Sequence, residues 1–238
     1  MFHLKFIYVT GVFDINRNKI DGREQDFYKK SLLETVKLIS KDRVIIIYTN
    51  KLNLFDGIEL PNNCLISYWN LSSKPYLCDP KSSNIAYSSL SYQNLVNDKI
   101  LMLKHAMKTF AVTKAIWLDA GISRFKLDTR KLENILDNHQ GISIQFIKNE
   151  RNSILYKMRR EADVFRLFKN ELDLNILAGG VLIVNGLSSN FFETYEIHRE
   201  RLSHIGPGVT EQVVLFSALC VAEFFFNVII PEKDSVGY

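Results

Sequence analysis

Cysteine is scarce in this chain: 238 residues hold three, at Cys64, Cys78 and Cys220, with no Cys-x-x-Cys spacing. An odd number of scattered cysteines excludes a disulfide scaffold and a cysteine-rich zinc site, and fits free thiols in a reducing compartment. Long apolar runs are lacking as well. The one membrane candidate, Val213 to Ile230, is broken by Glu223 and Asn227 and closed by Pro231, so a buried helix running into a strand is expected there. Near the amino end Lys5 interrupts the apolar stretch and Asp14 follows, so no secretory signal peptide is expected. No Lys/Arg run marks a nucleic-acid arm. The net charge of +4 is mild and suits an anionic small molecule or a membrane surface equally well.

Several chemical signatures are also missing. The chain has no Gly-x-Gly-x-x-Gly and no phosphate-loop lysine motif, which removes the commonest dinucleotide and nucleoside-triphosphate readings. His-Glu-x-x-His and Gly-x-Ser-x-Gly are absent too, and with them the signals of zinc peptidases and serine hydrolases. Neither a repeat nor a low-complexity linker divides the sequence. With 47% hydrophobic and 24% charged residues, it has the composition of a globular chain that buries a full core.

What is present is an alternation of strands and helices. Leu4 to Thr10 reads as a first strand, followed by a long polar loop, Gly11 to Lys19. Glu24 to Ser40 reads as a helix with Tyr28, Leu32, Val36 and Ile39 on one face. Val44 to Tyr48 is a continuous apolar strand, completing a βαβ unit, and Cys64 to Trp69 is a third strand. Residues 70–91 form a long Ser-, Asn- and Pro-rich loop. A helix from about Tyr92 carries Val96, Ile100, Leu103, Met107 and Phe110 as a single stripe and leads into Ala115–Leu118, a buried strand that ends at Asp119. A short helix over 128–138 and a strand over 142–147 come next. They are followed by a basic amphipathic helix with Leu155, Met158, Ala162, Phe165 and Phe168 inward, a face that also suits an anionic membrane surface. Ala178-Gly179-Gly180 opens an apolar strand to Asn185, a polar helix covers 190–202, and Thr210 is placed to cap a last helix beginning at Glu211. This order implies an α/β domain with a mostly parallel central sheet flanked by helices.

Three short motifs recur in this order in a known group. Leu118-Asp119-Ala120-Gly121, the strand Ala178-Gly179-Gly180-Val181-Leu182-Ile183-Val184-Asn185, and Glu211-Gln212 resemble the corresponding stretches of retaining lipopolysaccharide galactosyltransferases, which have the GT-A fold of nucleotide-sugar glycosyltransferases. Tyr8 to Arg17, Tyr48-Thr49-Asn50, Lys99-Ile100, Trp117 to Ile122 and Thr210 to Gln212 also resemble the bacterial HtrL/WlaTC-type proteins of surface-polysaccharide loci. The resemblance implies a single GT-A-like domain over 1–238, with residues 1–125 as the nucleotide-binding half and 126–238 as the acceptor and catalytic half. It implies a cytoplasmic hexosyltransferase, peripheral to the inner membrane, that takes a nucleotide sugar (a UDP-sugar first) and a glycan or glycolipid acceptor. Nucleic acid is not an expected partner. The alternative is a degenerate member that binds a nucleotide sugar, glycan or partner without turnover. Nucleotidyl transfer is disfavoured, because no Gly-rich, Lys/Arg-bearing loop follows the first strand.

On that reading Thr10, Phe13 and Asp14 would lie at base and ribose, with Thr49 and Asn50 at the same edge. Ala178, Gly179 and Gly180 would let donor or acceptor approach the backbone. Glu211 and Gln212 would be the catalytic pair, Glu211 as general base in an inverting enzyme or as a donor-sugar contact in a retaining one. A diphosphate leaving group needs positive charge, supplied by a hard cation on carboxylates or by Lys/Arg groups. Asp119 is the natural ligand for Mn²⁺ or Mg²⁺, but Gly121 stands where the resembled motif has its second acid. Either a further ligand comes from His204, with His198 and Asp14 as alternatives, or Lys99 and Arg17 hold the diphosphate without metal.

Overall fold

A computed structural model describes residues 4–72, 88–125, 127–159, 165–166, 176–186, 189–205 and 209–230. Cys78, Ala162, Phe168 and most of the expected 70–91 loop lie outside these residues.

A seven-stranded sheet organises the chain, in the order β3-β2-β1-β4-β6-β5-β7. Strands β1 (Ile7–Gly11), β2 (Val44–Thr49), β3 (Cys64–Tyr68) and β4 (Lys114–Leu118) are mutually parallel. Strand β6 (Leu177–Asn185) runs antiparallel to both β4 and β5 (Gly141–Phe146), and β7 (Phe226–Ile229) pairs parallel with β5. The sheet is therefore mostly parallel, as the sequence pattern implies. Strands buried on both faces must be apolar throughout. Accordingly Ile7, Tyr8, Val9, Ile45–Tyr48 and Ala115–Leu118 are each exposed by 2% or less.

Among the described residues the helices are α1 (Arg17–Asp21), α2 (Gln25–Leu38), α3 (Leu90–Thr109), α4 (Thr129–Asn138), α5 (Glu150–Lys157), α6 (Ser189–Ile205) and α7 (Glu211–Val221). Helix α1 falls where the sequence reads as loop. A helix of one to two turns has no room for a periodic apolar stripe, so its pattern is silent. The apolar 213–230 window resolves into α7 and β7. Helix α7 buries Val213, Val214, Leu215, Phe216, Ala218 and Leu219, so core helix is the right reading of that run. No helix among the described residues is long and apolar enough to cross a membrane. Of the expected basic helix, α5 is the amino-terminal part, and Met158, just after it, is exposed rather than inward.

Gly141 illustrates a backbone constraint at the sheet's far side. Its φ of 83° is left-handed, and a Cβ there would run into the carbonyl oxygen of Phe225, which precedes β7. Gly141→Ala is expected to destabilise the fold by about 2–4 kcal/mol, from backbone strain added to a steric clash. Urea denaturation of the variant reads that difference.

His198 packs beside α7, buried, with Nδ1 2.7 Å from the Ser217 hydroxyl and its ring stacked near Phe165. Burial first, and Arg201 second, push its pKa below the ordinary value. The folded state thus favours the neutral ring, so stability falls as pH drops through the ordinary histidine value near 6.5. A His198→Asn variant should show a flatter melting temperature between about pH 7 and pH 5.

Candidate functional site

Between β1 and β4 the chain order of the sheet reverses, because β2 and β3 lie on one side of β1 and the later strands on the other. Loops leaving the carboxyl ends of parallel strands diverge at such a point and open a crevice. A cleft of about 330 Å³ lies there. Residues after β1 (Phe13, Arg17), after β4 (Asp119 to Ile122), on α3 (Tyr92, Lys99), at the start of β6 (Gly180) and at the amino end of α7 (Thr210, Glu211, Gln212) line it.

Lys99 is the centre of this cleft. Its ammonium lies 3.0 Å from a carboxylate oxygen of Asp119 and 3.0 Å from Oε1 of Glu211, and it reaches the Gly179 carbonyl at 3.4 Å. Lys99 and Glu211 are almost wholly buried, whereas the Asp119 side chain is 38% exposed and forms the open end of the triad. The Trp117 indole donates to Oδ1 of Asp119 at 2.7 Å, fixing the carboxylate from the strand side. A buried ammonium is costly unless carboxylates surround it. Burial works against the charge on Lys99, but Asp119 and then Glu211 outweigh it, and its pKa stays above the ordinary lysine value. Burial likewise raises the phenol of Tyr92 at the cleft wall, with Glu211 adding to the effect.

Helix α3 positions these groups through a buried polar face beside its apolar stripe. Asn97 donates to the carbonyl of Val209 at 2.7 Å and so fixes the segment that delivers Thr210 and Glu211. Asp98 accepts from the Trp69 indole at 3.0 Å and from the backbone and hydroxyl of Ser72 at 2.8 and 2.7 Å. Asn97→Ala leaves the Val209 carbonyl without this donor and is expected to cost about 1–2 kcal/mol, read by chemical denaturation.

Two arginines approach the other wall. Arg17 stacks over Tyr28 (4.5 Å to the ring centre) and Tyr92 (5.0 Å), and donates to the Tyr28 hydroxyl at 2.6 Å. Arg23 donates to the same hydroxyl at 3.3 Å.

Of the residues singled out from the sequence, the cleft brings together Phe13, Arg17, Lys99, Asp119, Gly180, Glu211 and Gln212. Gly179 lies just behind the wall, where a Cβ would collide with the Glu211 carboxylate. Asp14 and Asn50 are joined to each other instead: Asn50 accepts from the Asp14 amide at 2.8 Å and donates to its carbonyl at 3.0 Å, while Lys51 bridges to the Asp14 carboxylate. Thr49 is buried and donates to the Lys51 carbonyl. Thr10 is buried with its hydroxyl unpartnered, and Ala178 pairs with Gln145 in the sheet; neither lines the cleft. His204 is exposed near the end of α6, outside the lining. Arg23, Tyr28, Tyr92 and Phe125 line the cleft without having been singled out as site residues. Tyr28 shares the period of the α2 core stripe, which masks it, and the lone signal for Arg23 is its place beside the polar loop.

No protein-family model matches this sequence, and no curated protein matches it. Solved structures do. Mouse xyloside xylosyltransferase 1 superposes with a TM-score of 0.53 at 11% identity, over 94% of this chain and 84% of that one. The galactosyltransferase LgtC, solved with donor and acceptor sugar analogues, gives 0.48 at 12% identity over 93% and 72%. Strand order and the likeness to the xylosyltransferase together give the chain a GT-A glycosyltransferase fold.

Proposed function

We propose that the chain is a glycosyltransferase that moves a hexose from a nucleotide sugar to a glycan or glycolipid acceptor. The observation that carries this reading is the Lys99–Asp119–Glu211 triad at the switch point of the sheet, in a cleft walled by aromatic rings and two arginines. A fold by itself assigns no activity. The chemistry of the site does favour a polyhydroxylated, anionic ligand. Fixed carboxylates and an ammonium hydrogen-bond sugar hydroxyls, while guanidiniums match phosphate oxygens. Residues 1–125 then carry most of the nucleotide contacts, and 126–238 supply the β6 and α7 side. Glu211, buried against Lys99, serves as a donor-sugar contact, and Gln212 at the cleft surface lies beside the reacting carbon. A UDP-sugar is the first donor to try. The resemblance of Tyr8 to Arg17 and Trp117 to Ile122 to HtrL/WlaTC-type proteins supports a bacterial surface polysaccharide or lipopolysaccharide as acceptor, built at the cytoplasmic face of the inner membrane.

Calorimetric titration with UDP-, GDP- and ADP-sugars, followed by a donor-hydrolysis assay, tests the proposal. Saturable binding of one donor and hydrolysis that disappears in Asp119→Ala are expected. A protein that binds none of them is not a glycosyltransferase of this kind. The second reading, binding without turnover, is favoured by the way Lys99 occupies both acids. Binding without hydrolysis or transfer would select it.

A further inference from the structure

We infer that the donor's diphosphate binds this site without a divalent cation, its charge being met by Arg17 and Arg23 while Lys99 stands between the acids a metal would need. The inference rests on the nucleotide-sugar reading above and concerns how that ligand is held. The donor set of the cleft does not fit Mn²⁺ or Mg²⁺, which require several oxygen ligands converging on one point. Asp119 Oδ1 already accepts from the Trp117 indole, and its carboxylate accepts from Lys99 through both oxygens, at 3.0 and 3.1 Å. Glu211 turns its Oε1 to the same ammonium. A cation entering between these acids would have to displace a positive charge that burial and two carboxylates hold in place. Among the described residues, no three His, Cys, Asp or Glu side chains cluster as a metal site.

Gly121 also bears on the metal. It lies in the cleft lining with φ −87° and ψ 9°, a conformation any residue adopts. Among the described residues a Cβ there would meet Tyr28 Cε1 alone, at 3.9 Å. The position therefore has room for an acid and the chain does without one.

The opposite wall shows what replaces the cation. Arg17 and Arg23 converge on a single oxygen, the Tyr28 hydroxyl, at 2.6 and 3.3 Å. Two guanidiniums within hydrogen-bond reach of one oxygen atom are placed to share a phosphate oxygen in the same way. Stacking of Arg17 between Tyr28 and Tyr92 fixes the plane of its fork.

Titration of the wild-type protein with UDP, GDP and ADP, in EDTA and again in excess Mn²⁺, tests the inference. The nucleotide that binds should do so with affinities agreeing within about threefold in the two buffers. Arg17→Gln and Arg23→Gln should each weaken it roughly tenfold or more, with salt dependence reduced. Mn²⁺ electron paramagnetic resonance on Gly121→Asp should show bound metal at concentrations where wild type shows none. Binding that EDTA abolishes and Mn²⁺ restores overturns the inference and leaves the glycosyltransferase reading intact. Absence of any nucleotide binding in both buffers overturns both. Affinity unchanged in both arginine variants, or equal Mn²⁺ binding by wild type and Gly121→Asp, removes the roles assigned to those residues.

Discussion

Replacing Lys99 by methionine is expected to destabilise the protein by about 3 kcal/mol and to abolish processing of any nucleotide sugar. The substitution keeps an unbranched four-atom stem and removes the ammonium. Glu211, 4% exposed, is then left as a buried acid with its ion-pair partner gone, and Asp119 keeps only the Trp117 indole and solvent at its exposed end. Removing one partner of a buried pair costs about 3–5 kcal/mol, because the remaining charge stays desolvated. The open end of Asp119 moves the expectation to the lower part of that range. A double-mutant cycle separates the ion pair from general disruption. Lys99→Met combined with Glu211→Gln should be more stable than the sum of the single effects predicts, by about 1–3 kcal/mol. The pH behaviour follows from the raised lysine pKa. A base held charged by the fold contributes stability below its ordinary pKa and loses it as pH rises through the higher folded value. Between about pH 6 and pH 9 the difference between wild type and Lys99→Met should therefore not shrink. A difference that shrinks as pH rises within that interval would mean that Lys99 titrates there and is not held by the two acids.

The second large effect is expected at Gly179. Adding a methyl group there places it against the Glu211 carboxylate, so Glu211 must shift from its place beside Lys99. A displacement of about 1 Å at a positioned group costs on the order of a hundredfold in turnover. Gly179→Ala should lower kcat/KM for donor hydrolysis by about that factor, with a stability loss of only about 1–2 kcal/mol. The neighbouring glycine provides the control. A Cβ at Gly180 would meet Ile122 Cδ1 at 3.4 Å and Asp119 Oδ2 at 3.8 Å, both ordinary contacts. Gly180→Ala should fold with wild-type stability, as denaturation midpoints would show. Equal stability losses in the two alanine variants would contradict the packing described around Glu211.

Much of this architecture is visible in the residue pattern. The continuous apolar runs at 44–48 and 115–118 are those of strands covered on both faces, and the 96–100–103–107 stripe is that of a helix lying on the sheet. Asp119 is legible because an apolar strand ending in a carboxylate at the carboxyl edge of a parallel sheet delivers that charge to the crevice. The antiparallel direction of β6 is not legible, since alternation and composition are the same for either direction. Nor is the pairing of Lys99 with both Asp119 and Glu211. The two acids are 20 and 112 positions from Lys99 in sequence, and helix periodicity says which face a lysine occupies, not what it meets. Asp14 and Asn50 carry the residue types of a ligand shell, yet they bond each other across the β1 and β2 ends. Turn residues and binding residues share a chemistry, and only the third dimension separates them.

The central claim, that a nucleotide sugar sits against the Asp119–Lys99–Glu211 cleft, has a built-in reporter. The chain contains two tryptophans, and each indole N–H donates to a different aspartate: Trp117 to Asp119 in the cleft and Trp69 to Asp98 outside the cleft lining. The two indole resonances in a nitrogen–proton correlation spectrum therefore report the site and an internal reference. Titration with UDP-, GDP- and ADP-sugars should move the Trp117 resonance saturably and leave that of Trp69 in place. A Trp117 resonance that stays fixed with every donor, or a shift confined to Trp69, would contradict the account.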